Sequence, residues 1–197
     1  MKAPRSKARV GHGVSGRTRT PAVTVAITCS ESLAGQKILG RSLRAWQSQA
    51  RALFAAMDAE PGRRAPRLGA VEIHIADANE MAVLNDRHLK HRGPTDVLTF
   101  PLDEPVPVGV SAGDKRRAAH ATVSGVVVVC PAVAEAEARD RRLPPPQELL
   151  RYILHGALHL LGEDDKSPAK HKHMHARQEK ILVKFLHLHK EGPELCK

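Results

Sequence analysis

Aromatic side chains are scarce in this chain of 197 residues, with one Trp, one Tyr and three Phe. So few rings argue against a base-stacking platform of the RRM or OB type, which depends on exposed aromatics. Cysteine is scarce too. Cys29, Cys130 and Cys196 are an odd number, far apart and without a CxxC pair, which argues against a disulfide framework or a cysteine zinc site and makes a reducing cytoplasm the expected location. No apolar run approaches the roughly 20 residues that cross a bilayer, so no membrane partner is expected. Acids are missing from the first 21 positions, which hold Lys2, Arg5, Lys7, Arg9, Arg17 and Arg19. With almost no large apolar side chain, residues 1–21 read as a disordered basic arm.

Basic charge is abundant. Lys and Arg number 31 against 21 Asp and Glu, a formal charge of +10, and the excess favours a polyanionic partner, nucleic acid first. Alternating β-branched residues predict strands at Ala22–Cys29, Ala70–Ala76 and Thr95–Pro101. Ser124–Cys130, with the unbroken run Val126–Val129, predicts a central strand buried on both faces. Helical spacing predicts helices over Gln36–Met57, with Gly40 a candidate interruption, a short one after Asp77, Pro131–Arg142, Pro144 to about Leu161, and Ser167–Leu188. Asp103–Thr122 is long and polar and reads as a loop. The order predicts an α+β fold, an α/β sandwich with one small mixed sheet of about four strands and about five helices. A single domain over 22–190 with a flexible tail at 191–197 is expected.

The stretch Pro144–Asp165 organises the rest. Leu149, Leu150, Ile153, Leu154, Leu158 and Leu161 recur at helical spacing, prolines mark the start, and Gly162 stands where an αL stop residue falls. His155 and His159, four apart, share one helix face. Past the glycine come Glu163, Asp164 and Asp165, three carboxylates within reach of the same point. Two imidazoles and a carboxylate leave one position of a tetrahedral zinc open to water, the arrangement of a catalytic site. His171, His173 and His175 also offer a third ligand, but neighbours two apart diverge on a helix, and a solvated basic face is the plainer reading. Thr95 and Asp96 either face a cleft or close the preceding Gly-Pro turn. His74 reads as a surface strand residue. A zinc peptidase would want Glu directly after the first His, where this chain has Gly156.

The run from His155 to Asp165, together with Leu84-Asn85 and the upstream block Pro94-Thr95-Asp96-Val97-Leu98-Thr99-Phe100-Pro101, resembles the YbeY family of zinc-dependent endoribonucleases. That resemblance implies one Zn2+ per chain on His155, His159 and Asp165. It implies cleavage of single-stranded RNA in 16S rRNA 3′-end maturation and ribosome quality control, with ribosomal RNA and the small ribosomal subunit as partners. A water on the ion is the expected attacking group, and Asp96, Glu163 and Asp164 are the candidate bases. The sequence departs from the family at three places: Asp165 stands where the third ligand is usually His, Leu89 where an arginine is usual, and Val126 where an acid is frequent. The loss at Leu89 supports an alternative, a ribosome-assembly RNA-binding factor with a structural metal and little or no cleavage.

Overall fold

A computed structural model describes residues 22–60, 66–102 and 122–189. The predicted basic arm, most of the 103–122 loop and the 191–197 tail lie outside the described residues. The elements run β1 (Thr24–Cys29), a 3-10 turn (Glu31–Leu33), α1 (Leu43–Asp58), β2 (Arg67–Ile75), α2 (Ala78–Leu89), β3 (Val97–Pro101), β4 (Thr122–Val129), α3 (Pro131–Arg141), α4 (Pro145–Leu160) and α5 (Pro168–Leu188). The strands form one sheet in the order β1-β2-β4-β3. β1, β2 and β4 are parallel and β3 runs antiparallel to β4, so the sheet is mixed and the fold is α+β.

Alternation along the strands sends Val25, Val71, Ile73, Val127 and Val129 to one face, where they meet α1, α4 and α5 in the main core. On the other face, Met81 of α2 packs with Leu98 and Val128 over the β4 and β3 half only. His74 lies on that second face as expected of a strand surface residue, with Nδ1 2.8 Å from the Thr28 hydroxyl and Nε2 3.0 Å from Glu80.

One helix begins later than its spacing predicts. Gln36–Arg41 is not helical, because Leu39 and Gly40 both sit at positive φ and Ile38 pairs with Arg41 across a tight turn. Helix α1 starts only after Ser42, whose hydroxyl accepts from the Ala45 amide at 3.3 Å.

Helix α4 is the centre of the molecule. Eleven of its sixteen residues are buried, and each fully buried Leu or Ile contributes about 2 kcal/mol of apolar transfer. It lies hard against the sheet at Gly156. A Cβ there would come 2.5 Å from Val127 Cγ1 and 3.1 Å from Thr99 Oγ1, so no larger residue fits without moving the helix. The residue after the first His thus faces β3 and β4, away from the His pair. A glutamate could not serve as a peptidase base from that position.

Candidate metal centre

The packing of α4 fixes where its two imidazoles point. His155 Nε2 and His159 Nε2 lie 3.0 Å apart, with the rings edge to face at 4.6 Å between centroids. Each ring is oriented through its other nitrogen. His155 Nδ1 is 2.8 Å from Gln178 Oε1 on α5, and His159 Nδ1 is 2.9 Å from the Glu163 carbonyl oxygen. Both partners are acceptors, so both Nδ1 atoms carry the proton and donate it. The Gln178 amide is set the right way round because its NH2 faces Glu179 Oε1 at 3.5 Å. In the neutral rings, the two Nε2 lone pairs then point at each other's position. Two acceptors at that separation repel unless a cation lies between them.

The exit from α4 brings in the carboxylate. Gly162 at φ 86° lets the Gly162 amide donate to the His159 carbonyl at 2.9 Å and the Glu163 amide to the Leu158 carbonyl at 3.1 Å, a Schellman stop. The same turn presents the Glu163 carbonyl to His159 and sends the chain back over the imidazoles. Asp165 then faces both, Oδ2 3.7 Å from His155 Nε2 and Oδ1 4.0 Å from His159 Nε2. One ligand atom from each of the three residues falls within a 4.8 Å group, a set that fits a divalent ion. Burial pushes both histidines below their ordinary pKa, with the charges of Asp165 and Asp96 opposing it at each. The neutral ring, the form that binds metal, is therefore favoured.

The candidate bases separate. Glu163 turns its carboxylate to Arg177, whose Nε and Nη2 also hold Glu60 Oε2 at 2.9 and 2.6 Å. Asp164 accepts from the Lys166 amide at 3.1 Å and from Lys170 Nζ at 3.0 Å, and these bonds hold its pKa down. Both carboxylates thus secure the exit loop. Asp96 does otherwise. Its Oδ1 accepts from the Thr95 hydroxyl at 2.9 Å, and both residues line a cleft of about 330 Å³ with Tyr152 and Arg141. Thr95 and Asp96 therefore close their turn and face a cleft as well.

The expectation of a solvated face for the His171–His175 run holds in part only. His171 is exposed and His173 lines a separate hollow with Lys170 and Met174, but His175 packs against His155 at 5.8 Å between centroids. Two residues that matter here carried no motif. Arg177 ties the exit loop to the end of α1, and Gln178 orients His155. Gln178 was detectable in principle, since it interrupts the buried stripe Met174, Ile181, Leu182, Phe185 of α5 with a polar side chain.

The family model described as Endoribonuclease YbeY matches residues 36–186. Endoribonuclease YbeY of Acidothermus cellulolyticus is 40% identical over 116 residues, 59% of this chain and 70% of that one. The same-named protein of Beutenbergia cavernae is 39% identical over 116 residues, 59% of this chain and 74% of that one. That of Corynebacterium efficiens is 40% identical over 111 residues, 56% of this chain and 54% of that one. A Thermotoga maritima protein solved in solution is 23% identical at a TM-score of 0.48, covering 88% of this chain and 99% of that one. By the family match, which takes in all but the first strand, the 3-10 turn and the last few described residues, this chain belongs to the YbeY family.

Proposed function

We propose that His155, His159 and Asp165 hold one zinc ion per chain, and that the protein is a zinc-dependent endoribonuclease acting on single-stranded RNA. The proposed substrate is ribosomal RNA, cut in maturation of the 16S 3′ end and in ribosome quality control in the cytoplasm. The observation that carries this reading is the pair of Nε2 atoms 3.0 Å apart, each with its Nδ1 proton already spent on a carbonyl acceptor and Asp165 facing both. Family membership supports RNA cleavage, and the net charge of +10 supports a polyanionic substrate.

Bound there, zinc supplies Lewis acidity, to a water and to a phosphoryl oxygen. The chain supplies the rest. Gln178 and the Glu163 carbonyl fix the tautomers of the two rings, and Asp165 offsets one positive charge that a third imidazole would leave standing. Asp96 is the candidate base that lines the open cleft, whereas Glu163 holds Arg177 through Oε1 with Oε2 buried, and Asp164 is held by Lys170 and the Lys166 amide. The test is cleavage of a single-stranded RNA by the full chain before and after chelation. Activity should vanish with the metal and return with zinc, and a chelated protein that cuts at the full rate refutes the reading.

One observation favours a second reading, an assembly factor with a structural metal and little cleavage. Leu89 ends α2 with its side chain half exposed, so the position where the family usually has an arginine offers RNA no charge. Replacing the gene with His155→Ala and comparing ribosomal RNA ends separates the two. A pure binding factor rescues, and a nuclease does not.

A further inference from the structure

The cleft that holds Asp96 carries a second set of polar groups, on α3 and α4, that the proposed cleavage does not use. Glu137 and Arg141 stand four residues apart on α3 and line it together, with Arg141 Nη2 3.3 Å from Glu137 Oε2. Arg141 is also held by Glu148, a fully buried carboxylate of α4. Arg141 Nη1 lies 3.0 Å from Glu148 Oε1, and Glu148 Oε2 accepts from Arg151 Nε at 3.0 Å. Tyr152, which also lines the cleft, precedes His155 by three residues and His159 by seven. It therefore shares their helix face and sets the cleft about one turn from the candidate metal centre.

We infer that this cleft seats one unpaired guanine base of the RNA substrate, read by Glu137 and Arg141 side by side. This deepens the reading of the protein as an RNA-cleaving enzyme and rests on it. The cleft is a poor phosphate seat, since Arg141 is already matched by Glu137 and Glu148, and Asp96 adds a further negative charge to the wall. A neutral base meets no such repulsion. The volume of about 330 Å³ is at the small end of the range for ligand sites, and Pro94 and Val133 supply apolar walls for a flat ring. The choice of base follows from the edge each one presents. Guanine sets two donors, N1–H and the N2 amino group, beside the O6 acceptor, and that edge matches a carboxylate next to a guanidinium. On the same edge adenine, cytosine and uracil each set an acceptor beside the donor, and its lone pair repels a carboxylate. A paired guanine hides this edge, so the seat takes the base only from a single strand.

The test is fluorescence anisotropy of the metal-free full chain with labelled single-stranded uridine hexamers carrying G, A, C or inosine at one central position. The guanine hexamer should bind about tenfold more tightly than the adenine and cytosine ones. Inosine, which lacks the N2 amino group, should lose most of that gain. Glu137→Gln, at a half-exposed position, should bring the hexamers level with the circular dichroism spectrum unchanged. Equal binding of all hexamers to wild type overturns this inference and leaves RNA cleavage standing. A guanine preference that survives Glu137→Gln overturns it too, since the base is then read elsewhere. No binding of any hexamer removes the RNA substrate and this seat together.

Discussion

A neutral imidazole offers a metal one lone pair, and at His155 the aim of that lone pair is set from across the helix interface by Gln178. Gln178→Leu keeps the volume and removes the acceptor. Metal affinity should fall about 10- to 100-fold with the circular dichroism spectrum unchanged, as calorimetry can check. The protonation of the pair gives a second expectation. Both histidines have folded-state pKa values below the ordinary 6.5, so the unfolded chain takes up protons before the folded one does. The stability they contribute is complete above about pH 6.5 and is lost as pH falls below it towards the lowered folded values. Urea midpoints of the metal-free protein should accordingly drop between about pH 7.5 and about pH 5.5. A midpoint that rises on acidification would contradict the assignment. His155, His159 and Asp165 could be picked out of the sequence because helical spacing and a glycine stop are local. Gln178 could not be connected to His155 in the same way, because the link depends on how α5 docks on α4, and 23 residues separate the two.

At the scale of elements, the centre depends on how closely α4 approaches the sheet and on how it ends. Gly156→Ala places a methyl 2.5 Å from Val127 Cγ1, an overpacking that should cost about 1–3 kcal/mol, read from urea unfolding. Gly162→Ala puts a side chain at φ 86° and should cost about 1–2 kcal/mol. It also loosens the turn that presents both the Glu163 carbonyl and Asp165, so metal affinity should fall with stability. The same turn explains why three consecutive acids divide their work, since successive side chains leaving it diverge towards Arg177, Lys170 and the imidazoles. Sequence periodicity located every helix and strand described. It set the start of α1 too early because Ile38 and Leu39 fit the apolar spacing; Gly40 marked the interruption, while the positive φ at Leu39, imposed by the turn with Arg41, has no composition of its own.

Over the whole molecule, charge, fold and site act together. No described helix is long and apolar enough to cross a membrane, and the formal +10 favours the polyanionic partner proposed above. Affinity for single-stranded RNA should therefore fall log-linearly with salt, with a slope of about −0.7 per phosphate contacted. The strand order β1-β2-β4-β3 brings the Thr95–Asp96 turn, at the start of β3, alongside α4. That is how Asp96 and Tyr152 of α4, 56 residues apart in sequence, come to line one cleft, and only the sheet topology reveals it. The claim on which the account turns is that His155, His159 and Asp165 grip one metal ion. The direct measurement is zinc binding by the metal-free full chain, compared with His159→Ala and with Asp165→Ala. Wild type should bind one ion tightly, and each variant, still folded, should lose that tight step. A His159→Ala protein that binds zinc as tightly as wild type would contradict it.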